Sequence, residues 1–221
     1  MKRVLPFIIV AAVAVAAVGS GVFLYRAKIA AAGPKPDARN ADKGSADGHV
    51  LGSAAAPVTL EEFGDFQCPP CGRLSEPINE LQKDFGSKLK VVYRNFPLAV
   101  HRHAREAAAA AEAAGLQGKF WQMHDLLFRE QAVWSKADDA VSLFNAYAGM
   151  IGLDLDRFKK DMQSPEVEER ITTDQKRGSD IGVRNTPTLF LNNEALSPEI
   201  LDPQKLRSVV GEAVKDKKPS S

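Results

Sequence analysis

Glu62-Phe63-Gly64-Asp65-Phe66-Gln67-Cys68-Pro69-Pro70-Cys71 is the stretch that decides how this chain is read. It joins an extended apolar run, Val58-Thr59-Leu60-Glu61-Glu62-Phe63, to a helical pattern, and it holds the only two cysteines in the sequence. Two cysteines at this spacing can close a tight, reversible disulfide. As a structural staple the pair would do little, because closing a very short loop stabilises least. Without a third cysteine it cannot be reshuffled into a framework or complete a four-cysteine zinc site. The pattern predicts a redox disulfide, Cys68–Cys71, that needs no cofactor and no metal.

The flanking residues extend the picture. Pro69 suits the first turn of a helix, where its missing N–H would be unpaired anyway. Leu74, Ile78, Leu81 and Phe85 continue at helical spacing and Gly86 closes the run, while Pro77 is expected to kink or interrupt it. Lys90-Val91-Val92-Tyr93-Arg94 reads as a second strand. Strand, helix and strand in this order predict a right-handed βαβ unit in an α/β fold, with a central sheet covered on its faces. Helical patterns follow at 103–114, around Phe120–Leu127, around Val141–Ile151, at 158–162 and at 165–181. Thr188–Leu191 reads as a strand, Asn192-Asn193 as a two-residue hairpin turn into 194–196, and about 203–215 as a last helix capped by Asp202.

The N-terminus is of another kind. Met1-Lys2-Arg3 precedes an apolar run from Val4 to Tyr25, and Arg26 and Lys28 follow it. About 22 residues at 1.5 Å rise can span a bilayer core. Residues 1–28 are therefore read as a signal anchor, with a cleaved signal peptide ending near Ala30-Ala31-Ala32 as the alternative. Residues 29–48 carry few large side chains and read as a flexible tether. Residues 49–221 are long enough for one domain with its own core. The formal net charge is +1. Removing Lys2, Arg3, Arg26 and Lys28 leaves about −3 for the rest, a balance that does not suit a nucleic-acid partner. These features predict an extracytoplasmic protein held at, or released from, a membrane. Such a compartment tolerates disulfides.

Four blocks together resemble the DsbA-like thiol–disulfide oxidoreductases of the thioredoxin superfamily. They are Glu62 to Cys71; Tyr93-Arg94-Asn95-Phe96-Pro97-Leu98 with His101 and Ala104; Gly118 to Asp125 with Leu127-Phe128; and Gly182 to Phe190. The resemblance implies a thioredoxin fold with a helical insertion at about 98–183. It implies a cis bond at Thr186-Pro187, with Thr186 pairing its backbone to a substrate strand and Pro69 and Pro70 beside it at the substrate surface. It gives Glu62 a proton-relay role toward Cys71. It implies cysteine-containing exported proteins as substrates and a membrane redox partner that reoxidises or re-reduces the pair. Two positions depart from the best-known oxidases. Pro-Pro replaces Pro-His between the cysteines, and Asn185 stands where a glycine is common before Thr-Pro.

In the chemistry so implied, Cys68 is the thiolate nucleophile, favoured by the helix N-terminus, and Cys71 is the shielded partner. Pro69 and Pro70 offer no N–H to the sulfur, and no imidazole lies between the cysteines. The disulfide is therefore expected to be less oxidising than in a Pro-His relative. The alternating pattern sets Glu62 on the face of Val58 and Leu60, half-buried with a raised pKa, and leaves Glu61 on the other face without a role. His101 and His124 are expected to pack or cap; His49 and His103 are expected in solvent. The function expected first is thiol oxidase. A reductase or isomerase of the same fold is the alternative. Two further rivals are a metal module built on Cys68, Cys71, His101 and His103, and a tethered domain that only holds unfolded chains around Pro187.

Overall fold

A computed structural model describes residues 48–216. The anchor or signal read at 1–28, and all of the tether but Gly48, lie outside the described residues. Among the described residues no helix is long and apolar enough to cross a membrane.

Strands β2 (Val58–Gly64) and β3 (Leu89–Asn95) form the parallel centre of the fold. They run in register from Val58 opposite Leu89 to Gly64 opposite Asn95. Helix α1 (Pro69–Phe85) and a short 3₁₀ turn connect them. A parallel pair is covered on both faces, and all but one residue of each strand is buried. The α1 helix is not interrupted at Pro77. The carbonyl this proline leaves unpaired belongs to Arg73, which is exposed, so water can satisfy it. Gly86 ends the helix at φ 51°, a conformation that favours glycine.

The sheet has the order β1-β3-β2-β4-β5. Strand β4 (Thr188–Leu191) is antiparallel to β2, and β5 (Glu194–Ala195) folds back on β4. Both turn residues, Asn192 and Asn193, have positive φ, as a two-residue hairpin turn requires and asparagine tolerates. The outer strand β1 (His49–Leu51) pairs antiparallel with β3. Its three residues are too few to show an alternation in the sequence.

The helical insertion fills the chain between β3 and β4. It comprises α2 (Ala104–Gly115), α3 (Phe120–Arg129), α4 (Gln131–Trp134), α5 (Ala140–Met150), α6 (Leu155–Asp161) and α7 (Pro165–Asp180). Asp139, Asp154 and Ser164 cap α5, α6 and α7 through their side chains. The alanine run in α2 is buried almost throughout and lets α3, α5, α6 and α7 pack closely on it. Helix α8 (Pro203–Asp216) closes the chain, and Asp202 accepts from the N–H groups of Gln204 and Lys205, as the sequence predicts.

A buried polar network ties sheet to insertion. Arg94 donates to Glu61 at 2.5 Å and to Asp174 of α7 at 2.9 Å. Arg177 also reaches Glu61, and the Asn95 side chain donates to Glu112 of α2 at 2.6 Å. Glu61, assigned no role from its position, is thus a structural ion-pair partner. A parallel strand buried on both faces must satisfy a carboxylate on either side. His49 is buried too, contrary to the expectation of solvent. It contacts Glu112 at 2.7 Å and stacks on Phe120 at 3.4 Å, because β1 carries it onto the sheet. Removing one member of a buried ion network leaves its partners charged and unpaired. Arg94→Met is therefore expected to cost roughly 3–5 kcal/mol of folding stability. Urea unfolding tests this, and a loss well under 1 kcal/mol would mean that Arg177 alone satisfies Glu61.

Candidate active site

Cys68 is the residue that caps α1, with φ −74° and ψ 118°, and Pro69 and Pro70 form the first helical positions. Both prolines lack an N–H, so the first backbone donor the helix turns toward the Cys68 sulfur is that of Cys71. Both cysteines are free thiols in this structure. Cys68 is 5% exposed and Cys71 not at all. The outer cysteine is the more accessible of the two, as its position implies, but only an edge of it is open.

The two sulfurs are tuned apart. The Cys68 thiol is pushed down to about 6, first by a hydrogen bond from the Cys71 thiol, then by the Thr186 side chain and the Cys71 N–H. Burial and the Asp65 charge oppose this only in part. Burial pushes the Cys71 thiol well up, and its hydrogen bond to Cys68 and the Glu62 charge add to the effect. The pair can therefore hold one thiolate and one thiol near neutral pH.

Thr186-Pro187 is cis and lies beside the cysteines. As a thiol, Cys68 donates to the Thr186 carbonyl at 3.2 Å. The Thr186 hydroxyl is buried and has no partner among the described residues in this state, which leaves it free to donate to a thiolate. Pro187, Pro70, Leu74 and Pro203 line a largely apolar groove of about 440 Å³, with Arg73 and Leu201 at its sides. Glu62 is fully buried rather than half-buried, and its Oε1 has no partner among the described residues. Burial, with some help from the Cys68 charge, raises its carboxyl to about 8. The parallel strand again explains the difference, since neither of its faces is open.

Several residues that hold the loop were not singled out from the sequence. Gln131, on the short α4, donates to the carbonyls of Phe66 at 2.6 Å and Cys68 at 3.0 Å. Gln67 donates to Ser135 O at 3.3 Å and accepts from the His103 N–H at 2.6 Å. Asp65 accepts from the N–H groups of Gln67 and Leu98, and pairs with His101 at 2.7 Å. His103, expected in solvent, is buried, with its ring between Glu106 and the Ala137 carbonyl. The insertion folds over it, which no local pattern announces. His124 packs among Phe66, Tyr93 and Trp121 as expected. The four residues of the metal alternative do not converge: His101 and His103 are engaged by other groups, and no metal-holding cluster occurs among the described residues.

The split between the thiols gives a direct test. Under limiting alkylation of the reduced protein, Cys68 is expected to be modified first, with a rate that rises through a midpoint near pH 6. Mass mapping that found Cys71 modified first would reverse the assignment.

The comparisons agree with this geometry. A family model described as thioredoxin matches residues 45–211. The chain belongs to the thioredoxin family. Oxidised BdbD of Bacillus subtilis is 25% identical with a TM-score of 0.64, over 78% of this chain and 94% of that one. The thiol–disulfide exchange protein alpha-DsbA2 of Wolbachia pipientis, 22% identical with a TM-score of 0.64, matches over 80% of this chain and 99% of that one. A segment of the Na(+)/H(+) antiporter NhaA 1 of Salinispora arenicola is 43% identical over 145 residues, 65% of this chain. That match is 21% of the antiporter, so the chain spans about a fifth of the length of such relatives.

Proposed function

We propose that this protein is an extracytoplasmic thiol oxidase, which passes the Cys68–Cys71 disulfide to cysteine-containing exported proteins. The observation that carries the reading is the opposed tuning of the two sulfurs. A Cys68 thiol that ionises near pH 6 is a good leaving group, so a disulfide made with it is readily given up. A substrate thiolate attacks the Cys68 sulfur, the Cys68–Cys71 bond breaks, and Cys71 departs with the electron pair and takes up a proton. The substrate's second thiolate then attacks its own sulfur in the mixed disulfide and expels Cys68 as thiolate. Two electrons have moved from substrate to enzyme, which a membrane redox partner must remove.

In this reading Glu62, protonated at neutral pH, gives its proton to the departing Cys71. Thr186 and Pro187 present the substrate strand, and Pro69 and Pro70 form the floor beside Cys68. The groove from Pro70 to Pro203 then takes an apolar side chain of the substrate. The N-terminal segment holds the domain at the outer face of the membrane, or directs its export if it is cleaved. The kinship to a segment of a membrane antiporter supports work at a membrane.

The redox state of the pair in living cells tests the direction of flow. Trapping with acid and a thiol-modifying mass tag is expected to show Cys68–Cys71 mostly as the disulfide. A pair found mostly as dithiol would make the protein a reductase or isomerase of the same fold.

A further inference from the structure

Tyr93 is a polar side chain that feels the charge of the inner cysteine and has no part in the exchange so far described. It lies on β3 directly opposite Glu62 of β2. Its side chain is fully buried, with the ring 5.1 Å from Phe66 and 4.9 Å from His124. Its hydroxyl has no hydrogen-bond partner among the described residues, and neither has Glu62 Oε1. A buried polar atom without a partner is costly and calls for an explanation. Here two of them belong to facing residues on adjacent strands.

The neighbouring strand is shaped around this hydroxyl. A Cβ at position 64 would lie 2.7 Å from the Tyr93 oxygen and 2.5 Å from a ring carbon. Only glycine leaves the room. The charges of Glu62, Cys71, Asp65 and Cys68 all bear on the phenol, so it stands in the field of both cysteines and of the carboxyl. Burial keeps it protonated far above neutral pH.

We propose that Tyr93 is a second member of the proton path to Cys71, its hydroxyl linking the Cys71 sulfur to the Glu62 carboxyl through water. The proposal rests on the relay reading of Glu62. When Cys71 leaves as a thiolate, the phenol proton moves to sulfur as the Glu62 proton moves to the phenol oxygen. When Cys71 attacks Cys68 to expel a bound substrate thiolate, both protons move the other way. The S–S bond to substrate breaks, the Cys68–Cys71 bond forms, and Tyr93 is neutral before and after.

The test uses the reduced full-length protein reacting with oxidised glutathione, with acid quenching and mass analysis to follow the mixed disulfide. Tyr93→Phe, Glu62→Gln and the double variant are compared. Tyr93→Phe is expected to leave attack by Cys68 unchanged and to slow resolution by Cys71 about tenfold, the worth of one hydrogen bond. The double variant should resolve no more slowly than Glu62→Gln alone, because both residues serve one path. A melting temperature at or above wild type shows that the phenylalanine variant is folded. Wild-type resolution in Tyr93→Phe, with Glu62→Gln slow, would sink the Tyr93 role and leave the Glu62 reading standing. Normal resolution in both variants would end both. Additive slowing in the double variant, or equal slowing of attack and resolution in Tyr93→Phe, would show that the two residues do not share a path.

Discussion

Cys71→Ser is expected to stop turnover and to collect as a stable covalent adduct with any disulfide-bonded protein substrate. In the proposed mechanism exchange proceeds through a mixed disulfide on Cys68, and from the enzyme side only the inner thiol can clear it. Serine is the informative replacement. The largest influence lowering the Cys68 thiol is a hydrogen bond from the Cys71 side chain. A serine hydroxyl can still donate, so the nucleophile should remain ionised while its resolving partner is gone. Alanine would remove both functions at once and confuse the result. The reduced variant mixed with a disulfide-bonded protein should give a one-to-one adduct on a non-reducing gel, discharged by dithiothreitol. No adduct, with Cys68 still titrating near pH 6 by thiolate absorbance, would refute exchange through Cys68.

The parts of this site that the sequence exposes are those fixed by local chemistry. Cys68-Pro69-Pro70-Cys71 sets a cysteine at a helix start, and that can be read without knowing what packs above it. Asn192-Asn193 announces its turn because positive φ at two successive residues restricts the choice of side chain. Asp202 marks a helix start for a similar local reason.

What escapes the sequence depends on contacts far apart in the chain. Gln131 reaches the carbonyls of Phe66 and Cys68 across more than sixty positions, from a helix too short to show a period. His49 and His103 look like surface histidines until β1 and the insertion cover them. Glu61 and Glu62 form the most instructive pair. Alternation separates them onto opposite faces, yet it cannot reveal that both faces are closed. One carboxylate finds two arginines and stays structural. The other has an oxygen with no partner and carries a carboxyl raised to about 8.

That difference shapes what Glu62→Gln should do. Resolution needs Cys71 deprotonated, and burial opposes its ionisation. Glu62 is the base in its ionised form, whose fraction grows as pH rises toward about 8. A positioned base typically offsets such a barrier by about 10²-fold or more, so the variant should resolve mixed disulfides that much more slowly. Attack by Cys68 should change little, since its thiolate is supported by Cys71, Thr186 and the helix start. Stability should move in the opposite sense, and in a pH-dependent way. The folded protein holds the Glu62 proton up to about pH 8, whereas an exposed carboxyl releases it near 4.5. Between these values the folded state binds one proton more than the unfolded chain, so this carboxyl makes stability fall as pH rises. Glutamine does not titrate. The variant should match wild type near pH 4 and exceed it by about 5 kcal/mol above pH 8, by linkage from the raised carboxyl. Denaturant unfolding at the two pH values, set beside rapid-quench kinetics, measures both halves. A stability gain that is the same at pH 4 and pH 9 would mean that Glu62 does not titrate between them. Equal slowing of attack and resolution would mean that it supports the site without moving a proton.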